Sequence, residues 1–324
     1  MRDLIYLFGN NDILCYILTF ARSIEFFISM KGPIMKNIRL LCLGMVLMLA
    51  GCHTAGRSLH QFKAPAYRIA KPWRGERFAN DKKSFQFVII ADRTGGNRPG
   101  VFEETIHKIN RLQPEFVLSV GDYIEGKTED DSVLRAEWED FFKAIEPLQM
   151  PFFCLPGNHD ISNPFMRQAY IDRMGMTYYH FVYGNVLFLC LNTEDPPPTH
   201  ISEAQIQYME KALRDNQKAS WTMVLLHKPM WKYKDTAGYD KIEALLAGRR
   251  HTVIAAHEHR YQKETRRGVD HYVLATTGGS SALRGAAFGE LDHIVWVTMT
   301  EQGPVLANLA VEGIYGDHFA DQTP

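Results

Sequence analysis

The segment Leu155–Asp160, which reads LPGNHD, places an amide, an imidazole and a carboxylate directly after the apolar run MPFFC. Such side chains can bind divalent cations, because hard cations prefer carboxylate and amide oxygens and borderline cations accept imidazole nitrogens. A single cluster of this kind is also typical of a polar turn. Its meaning therefore depends on whether other strands of the chain end in the same way.

Five apolar runs of the chain end in residues that could bind a metal. In parallel α/β units the functional side chains gather at the carboxyl ends of the strands, so these five ends are expected to meet. A mixed oxygen and nitrogen set suits two cations about 3.5–4 Å apart, an arrangement that serves phosphoryl displacement. The candidate ligands are Asp92, Asp122, Asn158, His227, His257 and His259.

The elements that must position these residues alternate between strands and helices in the first half of the domain. Short apolar runs at 85–91, 116–120 and 151–155 predict strands, and the first is expected to be buried because no polar residue interrupts its second half. Between them, apolar residues at helical spacing predict helices over 101–112 and 132–148. This β-α-β-α-β order implies parallel strands joined by right-handed crossovers.

The second half of the chain predicts more strands than one small sheet can hold. The segment YYHFVYGNVLFLCLN places Gly184 and Asn185 between two apolar runs, which predicts a β-hairpin. A helical pattern follows over 203–213, and five later apolar runs predict further strands. We therefore expect an α/β fold in which two mixed sheets pack face to face with helices outside.

The order of these motifs resembles that of the calcineurin-like metallophosphoesterase superfamily, whose motifs are D-x-H, G-D, G-N-H-D/E, a single His and G-H-x-H. The resemblance runs from about residue 85 to residue 310 and covers nearly all of the predicted domain. It implies a four-layer α/β/β/α sandwich with two mixed sheets. It also implies hydrolysis of a phosphomonoester or phosphodiester by a metal-bound hydroxide at a dinuclear site, with a phosphorylated compound as the substrate.

By this resemblance, the site holds two divalent ions whose identity among Mn, Fe, Zn and Mg stays open. Asp122 is implied to bridge the two ions. The remaining ligands are implied to divide between the ions, with Asp92 and His259 on the first and with Asn158, His227 and His257 on the second.

His159 is implied to protonate the leaving oxygen or to hold the phosphoryl group. In some family members the carboxylate that orients this imidazole lies three residues after the bridging Asp, which is Glu125 here. Thr94 stands where the family has a His ligand, so the first site is expected to be weak or completed by another residue. The purple acid phosphatases lack the same His and use a Tyr at the position of Glu125 as a ligand. Glu125 therefore has two alternative roles, metal ligand or partner of His159.

Arginine and aromatic residues near the ligand motifs leave alternatives open. Arg93 and Arg260 flank two motifs, and the forked guanidinium of either could bind a phosphate oxygen. A structural or solvated arginine is an equally good interpretation. The aromatic patch Trp231–Tyr233 either contacts a base or sugar of the substrate or packs in the core. Cys154 and Cys190 lie in apolar runs and are expected to be small buried residues, with a disulfide as the alternative.

The N-terminal region predicts export and a lipid anchor. From Met35 the chain reads MKNIRLLCLGMVLMLAGC, with a basic start, an apolar stretch too short to span a bilayer comfortably, and small residues before a Cys. This ending resembles the lipobox of bacterial lipoproteins, so residues 35–52 are expected to be a signal peptide that is cut before a lipidated Cys52. By resemblance to enterobacterial sorting, His53 favours the outer membrane.

Three other segments complete the predicted organisation. Residues 1–34 are expected to be an upstream extension of the reading frame or a disordered segment, with an additional helix near the membrane as the alternative. Residues 53–84 are rich in Lys and Arg and have little apolar periodicity, which predicts a basic tether. Residues 85–324 are then the metallophosphoesterase domain.

Composition limits the classes of function without selecting one. The chain has 324 residues, 46% of them hydrophobic, which is enough for one large core or two small ones. Its formal net charge of -1 gives no indication of nucleic-acid binding beyond a nucleic acid as substrate, and the oligomeric state stays open. The alternatives to a phosphoesterase are a non-catalytic binding or scaffold lipoprotein on a degenerate site, and a peptidase or amidase that uses the same ions.

Overall fold

The computed structural model describes most of the predicted domain and part of the segment before it. The predicted signal peptide, Cys52 and residues 1–34 lie outside the described residues. Within the described part, no helix has the length and apolar character that a membrane span requires. The described residues are 62–67, 69–75, 78, 84–233 and 238–320.

The described strands form two mixed sheets, one with seven strands and one with six. In chain order the strands are β1 (Trp73–Arg74), β2 (Phe85–Ile90), β3 (Val117–Ser119), β4 (Phe152–Phe153), β5 (Tyr179–Tyr183), β6 (Val186–Leu191), β7 (Trp221–Leu226), β8 (His251–Ala255), β9 (Gln262–Arg266), β10 (Val269–Val273), β11 (His293–Thr300), β12 (Gly303–Ala310) and β13 (Ile314–Tyr315).

Each sheet has parallel strands at its centre and antiparallel strands at its edges. The first sheet has the order β1-β4-β3-β2-β11-β12-β13, in which β2, β3 and β4 are parallel. The second has the order β5-β6-β7-β8-β10-β9, in which β6, β7, β8 and β10 are parallel. The predicted ligands follow β2, β3, β4, β7 and β8, which are all parallel strands. The expectation of two mixed sheets is confirmed.

Three of the five α-helices in the described residues begin where a side chain accepts hydrogen bonds from the free N–H groups of the first turn. Asp130 accepts from the backbone of Ser132 and Val133, while Asn163 and Ser202 cap the next two long helices. The α-helices of the described residues are α1 (Val101–Leu112), α2 (Asp131–Ile145), α3 (Pro164–Met174), α4 (Glu203–Asp215) and α5 (Tyr239–Leu245).

The continuous apolar run of β2 is explained by burial on both faces. Phe87 and Ile89 point into the core between the two sheets, and Val88 and Ile90 point toward the helices on the other face. The helices α1, α2 and α3 cover the outer face of the first sheet, and α4 and α5 cover that of the second. The predicted four-layer α/β/β/α sandwich is therefore confirmed.

Two local predictions are also confirmed. Strands β5 and β6 form the predicted hairpin, with Tyr183 opposite Val186 and with Gly184 at φ 58°, a left-handed conformation that suits glycine. Cys154 and Cys190 are both buried and unbridged, so they are the small apolar residues that their surroundings predict.

The described part of the predicted tether packs against the domain. Phe62 contacts Trp73 with ring centroids 5.4 Å apart, and Lys63 pairs with Val182 through backbone hydrogen bonds. Strand β1 pairs with β4 at the edge of the first sheet. The domain therefore begins before residue 85, a boundary that the sequence pattern missed because these aromatic residues are scattered among basic ones without a period.

Candidate metal centre

The carboxyl ends of strands from both sheets meet at one edge of the sandwich. In the first sheet, Asp92 follows β2 and Asp122 follows β3. In the second sheet, His227 follows β7 directly and His257 comes two residues after β8. Each ligand therefore lies in the loop where a buried parallel strand ends, as the sequence predicts.

The predicted ligands form two groups that share one carboxylate. Asp122, His227 and His257 supply ligand atoms that lie within 4.8 Å of one another, and Asp92, Asp122 and His259 do the same. Asp122 is therefore where a carboxylate must lie in order to bridge two cations.

Asn158 belongs with the first of these groups. Its Oδ1 lies 3.0 Å from Nε2 of His227. The same nitrogen is 3.2 Å from Oδ2 of Asp122 and 3.2 Å from Nδ1 of His257. Four potential ligand atoms thus converge on a space small enough for one cation.

Backbone carbonyls orient two of the histidine rings. Nδ1 of His227 lies 2.9 Å from the carbonyl oxygen of Val120, and Nδ1 of His259 lies 2.6 Å from that of Ser280. Because a carbonyl can only accept a hydrogen bond, each Nδ1 carries the hydrogen and donates it. Each Nε2 then faces the carboxylates of the cluster, which is how proteins orient histidines that bind metals.

The cluster stabilises positive charge. Burial lowers the pKa of a histidine, but the adjacent carboxylates of Asp122 and Asp92 raise the pKa of His227 to about 10. Burial likewise favours a neutral carboxyl group, yet His227 and His159 hold the pKa of Asp122 well below its usual range. The Asp122 carboxylate therefore attracts positive charge strongly, which is the electrostatic condition for binding a cation. Burial and the charge of Asp122 raise the pKa of Asp92, so a positive charge beside Asp92 would favour its ionised form.

The other two histidines are neutral. Burial, together with the charge of His227, lowers the pKa of His257 to about 3. Burial also lowers the pKa of His259. Neutral imidazoles keep the lone pair that a metal ligand needs.

Asp92 has a buried oxygen with no partner among the described residues. Its Oδ2 accepts a hydrogen bond from the backbone N–H of His257 at 3.1 Å, while Oδ1 is buried and accepts none. This Oδ1 lies 3.6 Å from Nε2 of His259. Leaving a buried carboxylate oxygen unsatisfied is costly, and a cation held by Asp92 and His259 would satisfy it. The residues present therefore fit a divalent metal.

Four of the ligands adopt left-handed backbone conformations that non-glycine residues rarely adopt. The values of φ are 45° for Asp92, 61° for Asp122, 73° for His257 and 50° for His259. Each such conformation costs about 1–3 kcal/mol and persists only where the surrounding structure enforces it. Strain at four clustered ligands indicates that their positions are required for function.

Glycine is required where the loops approach the ligands most closely. A Cβ atom on Gly157 would lie 2.1 Å from Oδ1 of Asp122. One on Gly95 would lie 3.2 Å from Nε2 of His259 and 3.5 Å from Nε2 of His159. The glycines that accompany the ligand motifs therefore leave room for the metal-binding side chains.

Asp160 is a functional residue whose role the sequence did not reveal. Its Oδ2 accepts from the backbone N–H groups of Asp122 and Gly157, and its Oδ1 accepts from that of Tyr123. Burial and the charge of Asp122 raise the pKa of Asp160 to about 7, while the three N–H donors favour its charged form. Asp160 thus joins the loops after β3 and β4. The only signal in the sequence was its place in the segment GNHD.

His159 lies beside the cluster and contacts the backbone of Glu125. Its Nδ1 is 2.7 Å from the carbonyl oxygen of Glu125, and its backbone N–H donates to Oδ1 of Asp122 at 3.0 Å. The carboxylate of Glu125 instead accepts from the backbone N–H groups of Gly96 and Asn97. The structure shows neither predicted contact of the Glu125 side chain, since its main chain contacts His159 and its carboxylate anchors the loop after β2.

Thr94 is buried and does not face the ligands as the family histidine would. Its hydroxyl lies 2.7 Å from the carbonyl oxygen of Ile124 and 3.1 Å from that of Asp122, to which it can donate. Thr94 therefore joins the loops after β2 and β3. The group of Asp92, Asp122 and His259 has one ligand fewer than the family pattern, as the sequence predicts.

Arg93 does not reach the site. Its guanidinium is buried, forms an ion pair with Asp140 and donates to the carbonyl oxygen of Tyr123 at 3.0 Å. It also lies over the ring of Phe102. The proposal that Arg93 grips phosphate is therefore wrong, because the side chain turns toward α1 and α2 and both terminal nitrogens of its guanidinium are engaged there.

The remaining predicted contacts divide between the rim and the core. Arg260 is exposed and donates from Nε to the carbonyl oxygen of Phe288 at 2.9 Å. Trp231 is buried and packs against Tyr239 and His271, so it belongs to the core. Tyr233 is 37% exposed, and so of the two aromatic rings in the predicted patch it is the one that solvent reaches.

Comparison with known proteins supports the family resemblance. The family profile described as "Calcineurin-like phosphoesterase" matches residues 85–261, which is more than half of the chain. A 3',5'-cyclic adenosine monophosphate phosphodiesterase of Haemophilus influenzae is 25% identical over 142 residues. That match covers 42% of this chain and 49% of the relative, so it spans about half the length of the relative.

Solved structures share the fold. A dimetal phosphatase from Danio rerio superposes with a TM-score of 0.56 and 13% identity, over 71% of this chain and 98% of its own. A purple acid phosphatase from yellow lupin superposes with a TM-score of 0.55 and 16% identity, over 72% of this chain and 53% of its own. GAP50, the anchor in the inner membrane complex of Plasmodium, superposes with a TM-score of 0.56 and 15% identity, over 72% of this chain and 89% of its own. At these identities the likeness is one of fold alone.

Proposed function

Since this chain belongs to the calcineurin-like phosphoesterase family, we propose that it hydrolyses a phosphoester at the cluster around Asp122. The relatives that it matches include a phosphodiesterase and phosphatases, which all act on phosphoesters. Its substrate is a phosphorylated compound, and its cofactors are two divalent metal ions.

The observation that carries this proposal is the sharing of Asp122 between two ligand groups. One buried carboxylate with ligands on both sides suits a pair of cations, and such a pair serves in-line displacement at phosphorus. Asp92 and His259 would hold one ion, and Asn158, His227 and His257 the other. When bound, two divalent ions would lower the pKa of a water molecule and offset charge on the phosphoryl oxygens.

His159 is the proton donor in this proposal. The carbonyl of Glu125 accepts from its Nδ1, so its Nε2 is directed to the side of the loop where Gly95 and His259 lie. A histidine in this place can give a proton to the leaving oxygen or bind a phosphoryl oxygen. Asp122 fixes it further by accepting a hydrogen bond from its backbone.

The test is turnover of p-nitrophenyl phosphate and of bis(p-nitrophenyl) phosphate in the presence of Mn²⁺. The proposal predicts hydrolysis of at least one ester by the wild type and its loss in Asn158→Ala. Asn110→Ala is the matched control, because the Asn110 side chain lies near the end of α1, where it donates to the carbonyl of Pro147 and accepts from the backbone N–H of Gln149. Absence of turnover with any divalent metal in a folded protein would contradict the proposal.

A second candidate function is non-catalytic binding. It is favoured by Thr94, which stands where the family has a ligand beside Asp92 and His259 and which is itself engaged with backbone carbonyls. The same fold also serves in GAP50, which is described as an anchor. Against this candidate, the chain keeps a complete set of residues at the other ligand positions. A protein that binds two ions but hydrolyses neither ester would favour binding.

We propose further that the protein is exported and lipid-anchored through Cys52. His53 favours sorting of the anchored protein to the outer membrane. The support is the sequence alone, in which a short apolar stretch ends in Leu-Ala-Gly-Cys. Labelling of cells with radioactive palmitate should mark the wild type, and Cys52→Ser should abolish the label. Labelling that persists in Cys52→Ser would contradict the anchor, and Cys42→Ser is the matched control.

A further inference from the structure

Cationic side chains next to the ligands on the second sheet are neutralised by carboxylates of the same chain. Nζ of Lys228, which directly follows His227, lies 2.7 Å from Oε1 of Glu194. Nζ of Lys232 lies 2.6 Å from Oε2 of Glu258, the residue between the two histidines of the last motif. Both ammonium groups therefore contribute little net charge to the rim.

The two arginines that flank the ligand motifs are also engaged. Arg93 is paired with Asp140 and buried away from the ligands. Arg260 donates to a backbone carbonyl. Glu290, the acidic residue of this region, is paired with Arg284.

The rim on the side of the first sheet is acidic. The Glu125 carboxylate accepts from two backbone N–H groups and has no ion pair with any of the residues that the structure describes. Glu137 lies nearby and accepts from the backbone of Gly126 at 2.9 Å. Because Gly126 directly follows Glu125 in the chain, the hydrogen bond from Gly126 brings the Glu137 carboxylate to the same loop.

These charges bear on the substrate, because phosphoesters differ in charge. A phosphomonoester carries a charge of about -1.5 to -2 at neutral pH, since its second pKa is about 6. A phosphodiester has lost one ionisable oxygen and carries a single negative charge. Positive groups other than the metals favour the dianion over the monoanion, because they meet its additional charge.

Building on the proposed function, we propose that the site prefers phosphodiesters to phosphomonoesters. Lys228 and Lys232 are paired, and the carboxylate of Glu125 offsets the charge of Arg260. The residues around the ligands therefore supply no excess of positive charge to meet a dianion. In the reaction, a water oxygen forms a new P–O bond, the P–O bond to one alcohol breaks, and one proton moves to the departing oxygen. The products are a monoester and an alcohol, and the monoester, being a dianion, leaves readily.

The experiment compares kcat/KM for bis(p-nitrophenyl) phosphate and p-nitrophenyl phosphate, measured with Mn²⁺ on the same preparation. The two probes share a leaving group and differ in charge. The wild type is expected to have the higher value for the diester. Inorganic phosphate, a mixture of monoanion and dianion near neutral pH, is expected to inhibit weakly.

The variant Glu258→Gln isolates the effect of charge, because it leaves Lys232 without its anionic partner. It is expected to raise the ratio of monoester to diester kcat/KM by about fivefold and to strengthen inhibition by inorganic phosphate similarly. The control is Glu203→Gln, which frees Lys241 in the same way between α4 and α5, far from the ligands in the chain. The control is expected to leave the ratio unchanged.

The outcomes separate this inference from the function on which it rests. Turnover of neither ester would contradict the proposed function, and the inference with it. A wild type that prefers the monoester would contradict the inference while the proposed function stands. A ratio that Glu258→Gln leaves unchanged, or that Glu203→Gln shifts equally, would show that rim charge does not select the substrate and would also overturn the inference.

Discussion

Nδ1 of His259 lies 2.6 Å from the carbonyl oxygen of Ser280, in a loop that no metal-ligand motif contains. That loop is in turn fixed by Arg98, whose Nε donates to the carbonyl of Gly279 at 2.9 Å and whose guanidinium pairs with Asp292. A chain of contacts thus runs from the loop after β2, through the segment after β10, to a ligand after β8. The orientation of His259 depends on residues that never touch the metal.

The first prediction concerns Arg98 as a positioning residue. Arg98→Gln removes the ion pair with Asp292 and loosens the Ser280 carbonyl, so it is expected to weaken binding of one of two Mn²⁺ ions by about tenfold. Titration calorimetry with Mn²⁺ measures both sites separately. Arg284→Gln is the control, because it breaks an exposed ion pair with Glu290 in the same region. Equal weakening of both sites, or none, would contradict the positioning role.

The second prediction concerns Glu125. Because its carboxylate accepts from Gly96 and Asn97, Glu125→Gln is expected to retain both metal ions. Elemental analysis of the purified variant and of the wild type gives the ion-to-protein ratio. A loss of one ion in the variant would restore the ligand role that the structure removes from this side chain.

The third prediction concerns Asp160, whose carboxylate accepts hydrogen bonds from four backbone N–H groups. Asp160→Asn turns an amide donor toward one of these groups, so it is expected to lower the free energy of unfolding by about 1–3 kcal/mol. Urea denaturation with a constant m-value measures the change. The control Asp215→Asn removes an exposed pair with Lys211 and is expected to leave the urea midpoint unchanged. Equal midpoints for both variants would exclude a role for Asp160 in joining the loops.

The fourth prediction concerns pH and His293, which is fully buried. Its Nε2 accepts from the backbone N–H of Ala275 and its Nδ1 faces Oδ1 of Asn308, so the folded state needs a neutral ring. Burial lowers the pKa of His293 from 6.5 to about 4. Between pH 4 and 6.5 the unfolded state therefore binds more protons than the folded state. The contribution of neutral His293 to the stability of the folded protein is full above pH 6.5 and is lost progressively as the pH falls toward 4.

The size of that effect is about 3 kcal/mol at most, from a pKa difference of about 2.5. It is measured as the slope of unfolding free energy against pH between 4 and 7. His293→Gln keeps polar groups in place but cannot titrate, so its slope should be shallower than that of the wild type. His251→Gln is the control, because His251 is only half buried. Parallel slopes for wild type and His293→Gln would contradict the prediction.

The sequence predicted the ligand set because each ligand ends an apolar run, and parallel strands bring their ends together. It also predicted α1 and the hairpin at Gly184, where period and turn chemistry are local. The contacts of the Glu125 carboxylate could not be predicted from the sequence, because a carboxylate can accept a hydrogen bond from any nearby N–H group. Only the folded loop after β2 shows that Gly96 and Asn97 take that place.

The residues that were missed act through the backbone of other segments. Asp160 bonds to N–H groups of a different loop, and Arg98 acts through Gly279, which is 181 positions away in the chain. No local period or motif encodes such pairings. Arg93 was misassigned for a related reason, since its partner Asp140 lies on α2 and only the crossover between β3 and β4 brings the two together.

The most direct test of the account is the anomalous scattering of a crystal of the domain grown with Mn²⁺. We expect one peak on each side of the Asp122 carboxylate. One should lie near Asp92 and His259, and the other near Asn158, His227 and His257. A single peak on one side would reduce the centre to one ion. Peaks that avoid Asp122, or none at saturating Mn²⁺, would contradict the central claim that this carboxylate bridges two cations.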